Sequence, residues 1–217
     1  MQISDISRRE IYRYLGYRGI EPSEEIARRV EECLVRVMEA VTPRYAAKRL
    51  AVSFPEEGLC DFGVFRVKSR GLFRNLSGCS QVYLMAATIG LGVDRLIARA
   101  NVSDVTAAAI YQAAGAAAVE AWSDEVNEKL LQEAREDGLF GRPRFSPGYG
   151  DFSLEHQKDF SRVLEMPRIG ITLSDSLLMT PSKSVTAVIG LSETDRRCPV
   201  AGCEGCEMRE SCAFRRE

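Results

Sequence analysis

Histidine and tryptophan are almost absent from this chain of 217 residues, which has one of each, His156 and Trp122. A zinc hydrolase or a Ser/His nucleophile needs a supported imidazole. A single His in the charged run Glu-His-Gln-Lys supplies little support, so His156 is expected at the surface. An excess of one charge is also missing. Lys and Arg number 29 against 31 Asp and Glu, a net charge of −2, which leaves no general footprint for nucleic acid despite the local pairs Arg196/Arg197 and Arg215/Arg216. The uncharged run Val105 to Val119 is mostly Ala with Thr106 and Gln112 inside it, too short and too weakly apolar for a membrane span. The first ten residues mix both charges around no apolar segment, so a cytoplasmic location is expected, with neither membrane nor nucleic acid as partner. What is there, 45% hydrophobic and 28% charged residues, fits a folded protein with a sizeable core.

Periodicity places a short helix near Arg8 to Leu15, closed by Gly16-Tyr-Arg-Gly19. A second helix starts after Pro22, with Ser23 as N-cap and Glu24 and Glu25 in the positive first turn. Ile26, Val30, Cys33/Leu34, Val37 and Val41 follow at helical spacing until Pro43 stops it. Strands are predicted at Arg49 to Phe54, Phe62 to Val67 and Gln81 to Ala87, and a long Ala-rich helix from about Ser103 to Glu133. Helices followed by a run of strands suggest an α+β fold.

Chemistry concentrates in Arg142-Pro-Arg-Phe-Ser-Pro-Gly-Tyr-Gly-Asp151. Pro147 fixes its own φ and extends Ser146, while Gly148 and Gly150 permit positive φ. Arg144 has the planar donor fork suited to a carboxylate, and Tyr149 offers a ring face and a hydroxyl. The same residues would also make an ordinary Pro/Gly turn with a solvated Arg and a packed Tyr. On the Ala-rich helix, Glu120 interrupts a run that is otherwise almost entirely small and apolar from Ala107 to Trp122. Ala116 and Ala117 lie one turn back on its face, leaving room for a ligand or another backbone. Alternatively, Glu120 marks where the helix emerges into solvent.

These segments resemble the activation domain of cobalamin-dependent methionine synthase. Arg144-Phe-Ser-Pro-Gly-Tyr149 is similar to its Arg-Pro-Ala-Pro-Gly-Tyr loop, and Val119-Glu-Ala-Trp-Ser-Asp-Glu-Val-Asn-Glu128 to its Ala-Glu-Ala-Phe-Ala-Glu-x-Leu-His-Glu helix. Ile169 to Gly190 is similar to the run that ends Met-x-Pro-x-x-Ser-Val-Ser. Read from its residues alone, this last segment is a strand, a turn at Pro181-Ser182-Lys183 and a second strand, with Met179 in the core and Ser174 and Asp175 in turn or capping roles. The likeness runs from about Val105 to Leu191. The family's aromatic-rich N-terminal segment, which adds an aspartate to the ligand site, has no counterpart here. Either another residue substitutes, or binding is weaker or completed by a partner.

The resemblance implies an α+β domain over residues 1–195, a mainly antiparallel twisted sheet packed with helices, that binds S-adenosylmethionine. It implies that Arg144 pairs with the ligand carboxylate and that Glu120 accepts from its amine or a ribose hydroxyl. The backbone at Phe145 and Ser146 recognises adenine, with Gly148 in the same loop, and Tyr149 orders the face toward the corrin. A family carboxylate six residues before the loop arginine corresponds to Asp137 with one residue inserted. The implied activity is that of a methyltransferase component: reductive methylation of cob(II)alamin, restoring a cobalamin-dependent methionine synthase or related corrinoid protein. The cobalamin is expected on that separate partner, with flavodoxin or ferredoxin as electron donor.

Residues 196–217 form a polar tail in which Cys198, Cys203, Cys206 and Cys212 are spaced Cys-x4-Cys-x2-Cys-x5-Cys. A compact thiolate quartet suits a 4Fe-4S cluster or a structural zinc, and unligated or redox-paired thiols are the other reading. Cys33, Cys60 and Cys79 are expected as small buried apolar residues. Two alternatives stay open: a non-catalytic metal-containing interaction or electron-transfer module for a corrinoid protein, and a zinc knuckle for nucleic acid.

Overall fold

The computed structural model describes residues 2–17 and 19–195. Its helices are α1 (Arg8–Tyr14), α2 (Glu24–Ala40), α3 (Arg70–Asn75), α4 (Gly92–Ser103), α5 (Val105–Glu136) and α6 (Gln157–Val163). The strands are β1 (Arg44–Ala51), β2 (Leu59–Asp61), β3 (Arg66–Lys68), β4 (Gln81–Thr88), β5 (Phe140–Gly141), β6 (Thr172–Leu173), β7 (Met179–Thr180) and β8 (Ser184–Ser192). The chain divides into two compact units. One comprises Met1–Tyr45, Ala87–Asn127 and Pro167–Val185; the other comprises Ala46–Ala86, Glu128–Met166 and Thr186–Glu217.

The first unit is built on helices. Ser23 caps α2 by accepting from Ile26 N at 3.4 Å, and Val30, Cys33, Leu34 and Val37 form its buried stripe. Asp104 caps α5 in the same way, its Oδ1 accepting from Ala107 N at 2.9 Å. The core holds Ile6 and Ile11, the α2 stripe, Val93, Ile97 and Ala100 of α4, and Ala107, Ala108, Ala113, Ala114, Ala117 and Ala118 of α5. The α4 stripe, spaced by four and three, is a helical signal that the sequence reading left unused. Trp122 Nε1 donates to Arg44 O at 3.0 Å, and its ring meets Tyr45 edge-on. Ile169 to Gly190 contains two short strands before β8 rather than one. The β6–β7 hairpin turns where Ser174 Oγ accepts from Leu178 N at 3.1 Å, which is the expected turn role. Met179 is half-buried, not core. Asp94 accepts from Ser182 N at 2.9 Å and also from its hydroxyl, holding the bend before β8.

The second unit is built on the sheet, whose order is β1-β4-β8-β5. The two central strands, β4 and β8, are buried almost throughout, which explains their near-continuous apolar sequences. β5 pairs antiparallel with β8, Phe140 opposite Ser192 and Gly141 opposite Leu191. Two strand predictions shift. β1 begins at Arg44 and ends at Ala51 instead of covering Arg49 to Phe54, because pairing with β4 draws in Ala46 and Ala47, residues with little intrinsic strand preference. The strand expected at Phe62 to Val67 is instead a hairpin tip followed by β3. Asp61 Oδ1 accepts from Gly63 N at 2.8 Å and Phe62 N donates to Phe65 O at 3.1 Å, so the chain reverses there.

Among the described residues, no helix is long and apolar enough to cross a membrane.

Candidate functional site

The loop that follows β5 is stitched to β8 on one side. Arg142 N donates to Gly190 O at 2.8 Å; Phe145 N donates to Val188 O at 2.9 Å, and Val188 N returns the bond to Phe145 O at 2.8 Å. After that bridge the chain turns sharply. Tyr149 N donates to Ser146 O at 3.1 Å, Phe152 N to Tyr149 O at 3.0 Å, and Gly148 N to Phe152 O at 2.7 Å. Gly148 has φ 95° and Gly150 φ 52°, the positive values the sequence anticipated, which a side chain at either position would resist.

Burial alternates along this loop in a way that presents particular groups. Pro147 is buried and Phe152 is 1% exposed, while Arg144, Phe145 and Ser146 are half-buried and Tyr149 is 64% exposed. The Phe145 ring stacks on Phe152 at 6.3 Å between centroids and lies 6.4 Å from Tyr149. The Phe145 N–H is already bonded to Val188, so it offers a ligand no backbone donor.

The far end of the loop is held by Asp151, whose role no local sequence pattern indicates. Its carboxylate accepts from Ser69 Oγ at 2.5 Å, Arg70 N at 2.7 Å and Gly71 N at 3.1 Å, at the start of α3. Partial burial pushes this carboxyl up, and the hydrogen bonds from Ser69, Gly71 and Arg70 outweigh it, leaving it below the ordinary aspartate range. A Cβ on Gly71 would stand 3.1 Å from both Asp151 Oδ1 and the Phe145 ring, so the absence of a side chain there lets loop and helix meet. Ser69, placed to cap a short helix through Leu72 N at 3.0 Å, was the available signal, but nothing local tied it to Asp151.

The other expected site residues are distributed as follows. Asp137 lies just beyond α5 in the second unit and is ion-paired with Arg49, whose Nε also donates to Gln81 Oε1 at 2.7 Å. Glu120 lies on α5 in the first unit, half-buried beside half-buried Ala116 and buried Ala117. Glu120 and Arg144 each have an interaction partner within the chain.

His156 departs from expectation. It is half-buried, its Nδ1 2.9 Å from Asp159 Oδ2, and its ring packs 5.5 Å from Phe152 and 6.0 Å from Phe65. The aromatic neighbours, which charged sequence context hides, draw the imidazole in. Cys33, Cys60 and Cys79 are buried as expected, and burial pushes the Cys60 thiol up to about 12. Among the described residues no group of three or more His, Cys, Asp or Glu side chains is arranged to hold a metal. Cys198, Cys203, Cys206 and Cys212 lie outside the described residues.

With sheet order, helices and loop in view, the structure is similar to a crystal structure of the MetH reactivation domain bound to AdoHcy. The TM-score is 0.68, sequence identity is 16%, and the match covers 91% of this chain and 78% of that one. The chain has the reactivation-domain fold. That α+β architecture, an antiparallel sheet packed with helices, is the one expected from the sequence, and the match extends well beyond the motif-bearing stretch from Val105 to Leu191. No protein-family model matches the chain, and no curated protein does.

Proposed function

We propose that this protein binds S-adenosylmethionine through the Arg144–Tyr149 loop and supports reductive methylation of cob(II)alamin held by a cobalamin-binding partner. The observation that carries this reading is an anchored loop that leaves an aromatic ring, Tyr149, 64% exposed five residues after the half-buried cation Arg144. A mobile surface turn has no need of such anchoring. The reactivation-domain fold, seen with AdoHcy bound in its structural neighbour, supports the same ligand class.

The residues present suit that group. Arg144 supplies a fixed cation with a planar fork for the amino-acid carboxylate. Backbone and hydroxyl at Ser146, with the open approach at Gly148, serve a flat heterocycle, and Tyr149 provides a stacking face. Glu120, on the helix whose sequence matches the family's ligand-binding segment, accepts from an amine or ribose hydroxyl. Asp137, whose Oδ2 is taken by Arg49, offers the ligand its other carboxylate oxygen. When bound, S-adenosylmethionine supplies an electrophilic sulfonium methyl. The protein's own part is to hold that ligand in one pose and exclude others, which is catalysis by positioning. The cysteine quartet is assigned a 4Fe-4S cluster or zinc; a cluster would relay the electron from flavodoxin or ferredoxin, and iron and sulfide analysis of anaerobically purified protein distinguishes the two.

Calorimetric titration with S-adenosylmethionine tests the reading. Saturable binding is expected, weakened about tenfold to a hundredfold by Arg144→Ala, the equivalent of losing one charge-assisted contact, and weakened also by Glu120→Ala. No binding by the folded protein, even with a cobalamin-loaded partner present, would remove the methyl-donor role.

A further inference from the structure

We propose that Asp151 is the positioning residue of the ligand loop, a carboxylate clamp that holds the Gly148–Phe152 turn against the start of α3 and so fixes where Tyr149 stands. Four observations meet there. The carboxylate has three donors, Ser69 Oγ, Arg70 N and Gly71 N, within 3.1 Å. Gly71 carries no side chain where a Cβ would press on Asp151 and on the Phe145 ring together. The turn has its own closing bonds, Gly148 N to Phe152 O and Phe152 N to Tyr149 O, which fix its shape but not its placement. Gly148, Tyr149 and Gly150 are exposed, so little burial holds them. The bridge between Phe145 and Val188 secures the loop's entry; Asp151 secures its exit.

The effect on ligand binding rests on the function proposed above, whereas the clamp itself does not. Asp151→Asn keeps size and shape but replaces a charge that accepts three bonds with an amide whose NH2 faces a donor. Amide hydrogen exchange in the Asp151→Asn protein is expected to speed about tenfold or more at Gly148 and Phe152 and to stay unchanged at Val188. The affinity for S-adenosylmethionine is expected to fall about tenfold while the denaturation midpoint falls only slightly and the variant stays fully folded under the titration conditions, so the lost binding is not lost folded protein. Gly71→Ala, which crowds the same carboxylate from the helix side, is expected to shift exchange at the same two amides. Unchanged exchange at Gly148 and Phe152 in both variants would overturn the clamp. Faster exchange with unaltered affinity would overturn its role in ligand positioning. If the unaltered protein binds no S-adenosylmethionine, the functional reading fails, and the exchange data still decide the clamp.

Discussion

Along α5 in the first unit the buried side chains from Ala107 to Ala118 are mostly alanines, with Ile110 and Tyr111 among them. Around the loop in the second unit they are the large rings Phe62, Phe152 and Phe160, with Phe65 and Phe145 half-buried beside them. Alanine loses no side-chain freedom on burial and lets neighbouring elements approach closely, so the position of α5 depends on backbone contact and tolerates little added volume. The rings bury much more apolar area each, but their placement depends on how a few side chains stack. A helix set by small residues and a loop set by aromatic packing therefore fail differently.

The largest expected effect is on the aromatic side. Phe152→Ala removes a ring that touches Phe145, His156 and Phe160, and should cost about 3–5 kcal/mol by chemical denaturation. It should also loosen the turn closed by Gly148 and Phe152. Survival of full stability would mean that the loop is not held by its rings. On the alanine side, Ala114 is fully buried, and Ala114→Leu should cost about 1–3 kcal/mol from overpacking. A neutral result would show that the α5 face is looser than its burial implies.

Acid should separate the regions next. Asp151 has a folded pKa below its unfolded one, so its contribution to stability is present above the ordinary aspartate value, about 3.9, and is lost as pH falls through the folded pKa. The stability gap between the unaltered protein and Asp151→Asn should hold steady near neutrality and close below about pH 4. A constant gap down to pH 2.5 would contradict that sign. The smallest effect belongs to Trp122→Phe, which removes the Nε1 bond to Arg44 O at the half-buried end of the helical unit; it should cost about 0.5–1.5 kcal/mol in the same denaturation assay.

Much of the helical unit was legible residue by residue. Ser23 with Glu24 and Glu25, followed by Val30, Cys33, Leu34 and Val37, announces α2 because capping and periodicity act within one or two turns. The same holds for the turn at Pro147-Gly148, whose positive φ only glycine accepts readily. β1 was misplaced because Ala46 and Ala47 take strand form through their partner strand and not through their own preference. Phe62 to Phe65 looked like a strand because aromatic residues favour strands, yet Asp61 and Gly63 turn the chain there.

What the sequence determined by itself was local: the capped helices, the shape of the Arg144–Tyr149 turn, and the buried state of Cys33, Cys60 and Cys79. The tertiary structure alone decided that Asp151 meets Ser69, 82 residues away, that Arg49 pairs with Asp137 across 88 residues, that Phe145 bonds Val188, and that His156 lies against phenylalanine rings. Backbone preferences and caps act over a few residues and can be read in order along the chain. A carboxylate or a ring finds its distant partner only once the sheet and helices have brought the two segments together.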